Sequence, residues 1–283
     1  MITIGNEILT AKISPLGAEL KSLCANQKEY LWNSNPEVWN SSAPIMFPIC
    51  GGLKNGAYTF DDRTYSLPKH GYVRNTLFEV EQADQTHAVF LHKSDQETLK
   101  LYPFDYELRV IYTVQSNALQ VRFEVKNLSR MPMYFSIGAH EGYYTPEGIE
   151  DYDVIFPQNE TLSANVLYGE LCSNQRLPII KDSCVLPLYE KYFTIDALVF
   201  KDLKSRSATL RNRKTGKALR VDFPYADYFL LWHKPNAPYI CLEPWAGVQD
   251  SVDADGDIRK KEGIQTLGAG ETYQAEHRIT ILS

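Results

Sequence analysis

Residues 118–126 alternate without a break. Leu119, Val121, Phe123 and Val125 fall on one side, and Gln120, Arg122, Glu124 and Lys126 on the other. A period of two marks a strand with one face in a core and one in water. Shorter apolar or alternating runs recur at 8–13, 18–23, 78–80, 88–93, 107–114 and 133–137, and again at 197–200, 208–211, 219–223, 228–232, 239–242 and 276–282. Between them stand turn residues such as Ser14-Pro15-Leu16-Gly17, Lys54-Asn55-Gly56 and Asn127-Leu128-Ser129-Arg130. Punctuation at such short intervals specifies many short strands. Helical periodicity over windows of about eleven residues or more is nearly absent. There is no internal repeat, low-complexity tract or linker. The pattern predicts an all-β fold, a large sandwich of antiparallel sheets forming a single domain over residues 1–283.

Three stretches read differently. Residues 146–191 read as loop-rich, with one strand at 152–156. Residues 250–261 are dense in charge and read as an exposed connection. In 43–52, Pro44, Pro48, Gly51 and Gly52 surround an apolar run, which predicts irregular, buried backbone close to a site.

Composition narrows the function. A chain of 283 residues, 44% hydrophobic, can bury a large core. Its 18 Tyr and 12 Phe suit β-structure and also the lining of a carbohydrate site. A net charge of −6, with no block of Lys or Arg, argues against a nucleic-acid surface. The N-terminus lacks the basic and apolar regions of a signal peptide, and no window is apolar enough to span a bilayer. Cysteines 24, 50, 172, 184 and 241 are odd in number and irregularly spaced, without a Cys-x-x-Cys. They are expected to be reduced thiols of a cytoplasmic protein, not a disulfide framework or a structural zinc site.

The densest chemistry lies in Tyr239-Ile-Cys-Leu-Glu-Pro-Trp245. Its apolar start reads as a buried strand. Glu243 follows, and Pro244, with no N–H to donate, is expected to end the ladder. A carboxylate held against apolar and aromatic surface has a raised pKa, which suits proton transfer near neutral pH. The plainer alternative is a strand-end Glu pointing into water. His70 with Arg74, His140 and Asp196 end or interrupt other strands. A histidine in such a place is ordinarily structural. His277 reads as structural, His233 stays open, and His87 and His92 receive no role.

Ala43-Pro-Ile-Met-Phe-Pro48, Leu53-Lys-Asn-Gly56, His70-Gly71 with Arg74, Gly138-Ala-His140 and Leu242-Glu-Pro-Trp245 occur in this order. Together with Gly17-Ala-Glu-Leu20 and residues 263–267, they resemble the aldose 1-epimerases, the galactose mutarotase-like group, and within it the branch of LacX-type proteins. The resemblance covers nearly the whole chain. It implies a large antiparallel β-sandwich and interconversion of the α and β anomers of a free sugar, without metal or other cofactor. By the same resemblance Glu243 matches the general base that deprotonates the C1 hydroxyl, and His140 the general acid that protonates the ring oxygen. His70, Arg74 and Asp196 match sugar-binding positions, and Trp245 could stack on the sugar, as could Tyr143. Trp232 reads as core. The small-molecule partner would be a sugar, and the assembly a monomer or homodimer. One position departs: Gly52 stands where the family usually has an arginine. This favours a free aldohexose over a hexose 6-phosphate, and leaves a non-catalytic carbohydrate-binding protein as the second reading.

Overall fold

The computed structural model describes residues 1–282. Its main element is a 14-stranded antiparallel sheet. The alternating strand predicted from the sequence is Ala118–Asn127, and Leu119, Val121, Phe123 and Val125 are all buried. It pairs with Tyr106–Gln115 on one side and with Thr272–Leu282 on the other. The sheet continues past Tyr106–Gln115 through His87–Lys93 to an edge at Glu79–Ala83. In the other direction it runs from Thr272–Leu282 through Ala218–Asp222, Ser207–Asn212 and Tyr152–Tyr168 to Leu198–Phe200. Tyr228–Trp232, Tyr239–Ala246 and the short strand Ile137–Gly138 complete that side.

A separate four-stranded sheet spans Ile2–Gly5, Leu9–Ile13, Leu20–Ala25 and Lys28–Glu29. It lies against the strands His87–Lys93, Tyr106–Gln115 and Ala118–Asn127. Leu9, Ala11 and Ile13 from one sheet and Leu108, Val110, Val121 and Phe123 from the other share one apolar core. This sandwich puts the non-polar side of each period-two strand inside, as the alternation requires. The one α-helix among the described residues, Gln96–Leu101, starts at Asp95, whose carboxylate accepts from the Glu97 and Thr98 amides in a capping box. No helix among those residues is long and apolar enough to cross a membrane. All five cysteines are free thiols.

Two expectations are corrected. Residues 146–191 are not loop-rich: they form a hairpin of two long strands, Tyr152–Tyr168 and Leu171–Pro187. The outer strand has exposed residues on both faces and only two buried ones, and register shifts interrupt the pairing four times, so no clean alternation marks it in the sequence. Residues 250–261 are not simply exposed. The Lys261 ammonium and the Asp250 carboxylate form a 2.7 Å ion pair, with side chains only 3% and 5% exposed. Lys261 also donates to the Val248 carbonyl, and Asp250 accepts from the Lys54 amide. Charge in sequence looks like solvation, but here complementary partners satisfy it inside.

Removing one member of a buried pair strands the other. Lys261→Met should therefore lower unfolding free energy by about 3–5 kcal/mol, read from urea denaturation of the purified variant.

Candidate functional site

Every residue of the strand Tyr239–Ala246 is buried. Tyr228–Trp232 pairs along one edge, with Leu230 opposite Glu243. Along the other edge the partner comes in two pieces. Glu141–Tyr144 pairs from Leu242 back to Tyr239, and Ile137–Gly138 pairs with Ala246 and Trp245. Ala139 and His140 fall in the break between them, opposite Pro244 and Glu243. Proline fits there because it has no amide to offer a ladder. Its carbonyl still accepts from the Ala139 amide and the Tyr225 hydroxyl. The strand does not end at Pro244, as the sequence suggested. It runs on to Ala246, with Pro244 opposite Phe229. The break brings His140 Nε2 within 3.5 Å of Glu243 Oε2.

His70 comes from a separate loop and has a left-handed backbone, with φ of 68°. Gly71 follows at φ 71°, and a Cβ there would strike the Phe47 carbonyl, so only glycine fits. The His70 amide donates to the Gly51 carbonyl, and His70 Nδ1 accepts from the Gly51 amide at 3.1 Å. That bond assigns the ring hydrogen to Nε2. The segment 43–52 is buried and free of regular strands, as its prolines and glycines predicted. Asp196 caps a 3₁₀ turn, Glu190–Ile195, with φ 76° and ψ −131°. Such strain in a non-glycine residue concentrates at functional sites. Arg74 donates to the Ser41 hydroxyl, and the Trp245 indole donates to the Ala139 carbonyl.

All six residues singled out from the sequence line one cavity of about 390 Å³. Trp39, Lys69, Glu170, Trp232 and Gln249 line it too. Trp232, expected in the core, is half-buried on the cavity wall and edge-on to Trp39, with ring centroids 5.3 Å apart. Tyr143, expected to be able to stack on a sugar, is wholly buried and does not line the cavity. Trp39 was missed. A tryptophan isolated in the polar stretch 33–42 was the available signal, and its ring lies 5.2 Å from that of His140. Glu170 had no signal, because the hairpin carrying it was itself unread. His277 pairs with buried Glu141, and His233 with Glu190 and the Tyr239 carbonyl, all away from the cavity.

Burial pushes the Glu243 carboxyl well above the usual carboxylate range; the nearby Lys69 opposes this, and Asp196 and Glu141 add to it. Burial pulls His140 down to about 3, with a further push from the Arg74 charge. Burial also holds His70 well below the ordinary histidine range, helped by His140, Lys69 and Arg74. Burial thus favours the uncharged form of both groups across the 3.5 Å contact. Cys241 brings its sulfur within 4.8 Å of ligand atoms of both. Burial pushes the Cys241 thiol up as well.

The raised Glu243 pKa fixes a sign for stability. Folded protein keeps this proton at a pH where unfolded chain has lost it, so burial of Glu243 costs stability above the ordinary Glu pKa. Glu243→Gln should thus be more stable than the parent at neutral pH. The gap should widen by up to about 1.4 kcal/mol per pH unit until the folded carboxyl ionises, and flatten in acid below the ordinary Glu pKa. Thermal melts from pH 4 to pH 9 measure it.

The model of the family described as aldose 1-epimerase matches residues 1–280. The LacX protein encoded on the chromosome of Lactococcus lactis subsp. lactis is 36% identical over 297 aligned positions, covering 100% of this chain and 99% of that protein. The X-ray structure of a galactose mutarotase related enzyme from Lactobacillus acidophilus superposes with a TM-score of 0.93 at 36% identity, over 99% of this chain and 97% of that one. A galactose mutarotase-like protein from Lactobacillus casei ATCC 334 gives a TM-score of 0.93 at 29% identity, with complete coverage of both chains. The chain is a member of the aldose 1-epimerase family, with the galactose mutarotase-like β-sandwich fold.

Proposed function

We propose that the cavity is the active site of a cofactor-independent aldose 1-epimerase that interconverts the α and β anomers of a free aldohexose. The observation that carries this reading is the His140–Glu243 pair: two buried titratable groups 3.5 Å apart, their pKa values pushed in opposite directions by burial. Opening a pyranose removes a proton from O1 and delivers one to O5. A pair holding one proton does both without outside help. Glu243 takes the O1 proton and His140 protonates O5 as the C1–O5 bond breaks. The aldehyde turns about C1–C2, and the ring recloses on its other face with the roles exchanged.

Before the reaction the proton must move from Glu243 to His140. Lys69 favours the ionised carboxylate, and hydrogen bonds from sugar hydroxyls add to that. His70 Nε2–H and the Arg74 guanidinium are donors for ring oxygens, Asp196 is an acceptor for hydroxyls, and Trp39, Trp232 and Trp245 offer apolar surface to the C–H face of the ring.

The second reading is a carbohydrate-binding protein without turnover. Gly52 favours it, since it stands where the resemblance leads one to expect an arginine. Polarimetry of freshly dissolved α-glucose and α-galactose separates the two. Catalysis requires mutarotation faster than the spontaneous rate, and sugar binding with an unchanged rate establishes the binding protein.

Glu243→Gln and His140→Asn should each lower kcat by about 10²–10⁴-fold with a much smaller change in sugar affinity. The double variant should lose less than the product of the two, because the residues act as one unit. A near-normal kcat in Glu243→Gln would move the base to Asp196.

A further inference from the structure

Glu170 has no part in the proton chemistry, yet it lines the same cavity. It sits at the tip of the hairpin formed by Tyr152–Tyr168 and Leu171–Pro187. Backbone bonds fix that tip beside the site. The Cys172 amide donates to the Asp250 carbonyl, the Val252 amide to the Cys172 carbonyl, and the Asp250 amide to the Gly52 carbonyl. Gly52 does not have a left-handed backbone, so its conformation does not call for glycine. Its neighbour does. A Cβ at position 52 would lie 2.9 Å from both Cβ and Oε2 of Glu170. Glu170 therefore fills the space that any side chain at 52 would need.

Depth gives the position meaning. The His140 and Glu243 side chains are 10% and 2% exposed, at the bottom of the cavity. Lys69 and Glu170 are 39% and 57% exposed and 3.8 Å apart, at its mouth. A pair so exposed adds little stability. Its consequence is electrostatic: Glu170 offsets Lys69 at the mouth, and a sugar with its anomeric carbon at His140 and Glu243 would turn its far end toward that mouth. Besides Glu243, whose carboxyl burial pushes toward the neutral form, the cavity carries the carboxyls of Glu170 and Asp196 beside the two cations Lys69 and Arg74.

We infer that Glu170 is a specificity-determining residue, a carboxylate at the cavity mouth that admits uncharged sugars and turns away sugars bearing a phosphate or carboxylate at that end. This rests on the function proposed above and adds to it the residue that sets the substrate's charge.

The test compares glucose with glucose 6-phosphate, and then with glucuronate, in the parent and in Glu170→Gln. The amide keeps the shape and removes only the charge. The parent should prefer glucose. Glu170→Gln should raise kcat/KM for both anions at least tenfold relative to glucose, with kcat/KM for glucose within threefold of the parent, and high salt should shrink the gain. A preference of the parent for the phosphate, or an anion-to-glucose ratio unchanged by the variant, would overturn the inference. Should the parent leave mutarotation unaccelerated, the same comparison is read as dissociation constants by calorimetry. The filter and the catalytic reading then fail or stand separately. Gly52→Ala checks the contact itself. It should lower Tm in the parent and cost much less in a Glu170→Ala background, and equal costs in both would show that Glu170 does not occupy that space.

Discussion

The site depends on one interruption in strand pairing. Tyr239–Ala246 is buried from end to end, and a buried strand must have its backbone groups paired. Tyr228–Trp232 pairs along one edge without a break, and on the other edge the ladder is interrupted only opposite Glu243 and Pro244, where the neighbouring strand splits into Ile137–Gly138 and Glu141–Tyr144. Pro244 makes the split tolerable by contributing no donor. The split frees His140 from the sheet and sets its imidazole against the Glu243 carboxyl. One proline and one break thus place two titratable side chains face to face in a low-dielectric pocket. The opposed shifts of Glu243 and His140 follow from that burial.

The rest of the cavity is assembled on this strand by segments that are not strands. Gly71 closes on the Phe47 carbonyl, which ties the His70 loop to the irregular segment 43–52 through the Gly51 amide. The buried Lys261–Asp250 pair anchors the loop that carries Gln249. That loop in turn receives the hairpin tip with Glu170. The wall that carries His70, Gln249 and Glu170 is therefore held by glycines, one ion pair and a few backbone hydrogen bonds. It can change residue by residue while the sheet stays the same, which is how one fold carries different specificities.

Much of this architecture was legible in sequence, because a period of two has only one economical meaning. The alternation at residues 118–126 identified a half-buried strand, and the spacing of glycine and proline identified many more. Glu243, His140, His70, Arg74, Asp196 and Trp245 stood out as polar or aromatic groups at the ends of apolar runs, and all six line one cavity. The misses share a cause. The hairpin of Tyr152–Tyr168 and Leu171–Pro187 owes its strands to long-range pairing along an exposed arm, so no alternation records it. Charged residues 250–261 read as solvated because a sequence does not show that Lys261 and Asp250 meet.

By itself, then, the sequence determined the all-β class, the inward face of the alternating strands and the chemical types available for a site. These follow from local rules: side-chain period, proline without a donor, glycine at positive φ. The tertiary structure alone decided which groups meet. It placed His140 in the gap beside Glu243, brought Trp39 and Trp232 to the cavity wall, and set Glu170 against Gly52, 118 positions earlier in the chain. Those outcomes depend on pairing register and on burial, and both are properties of the folded chain as a whole.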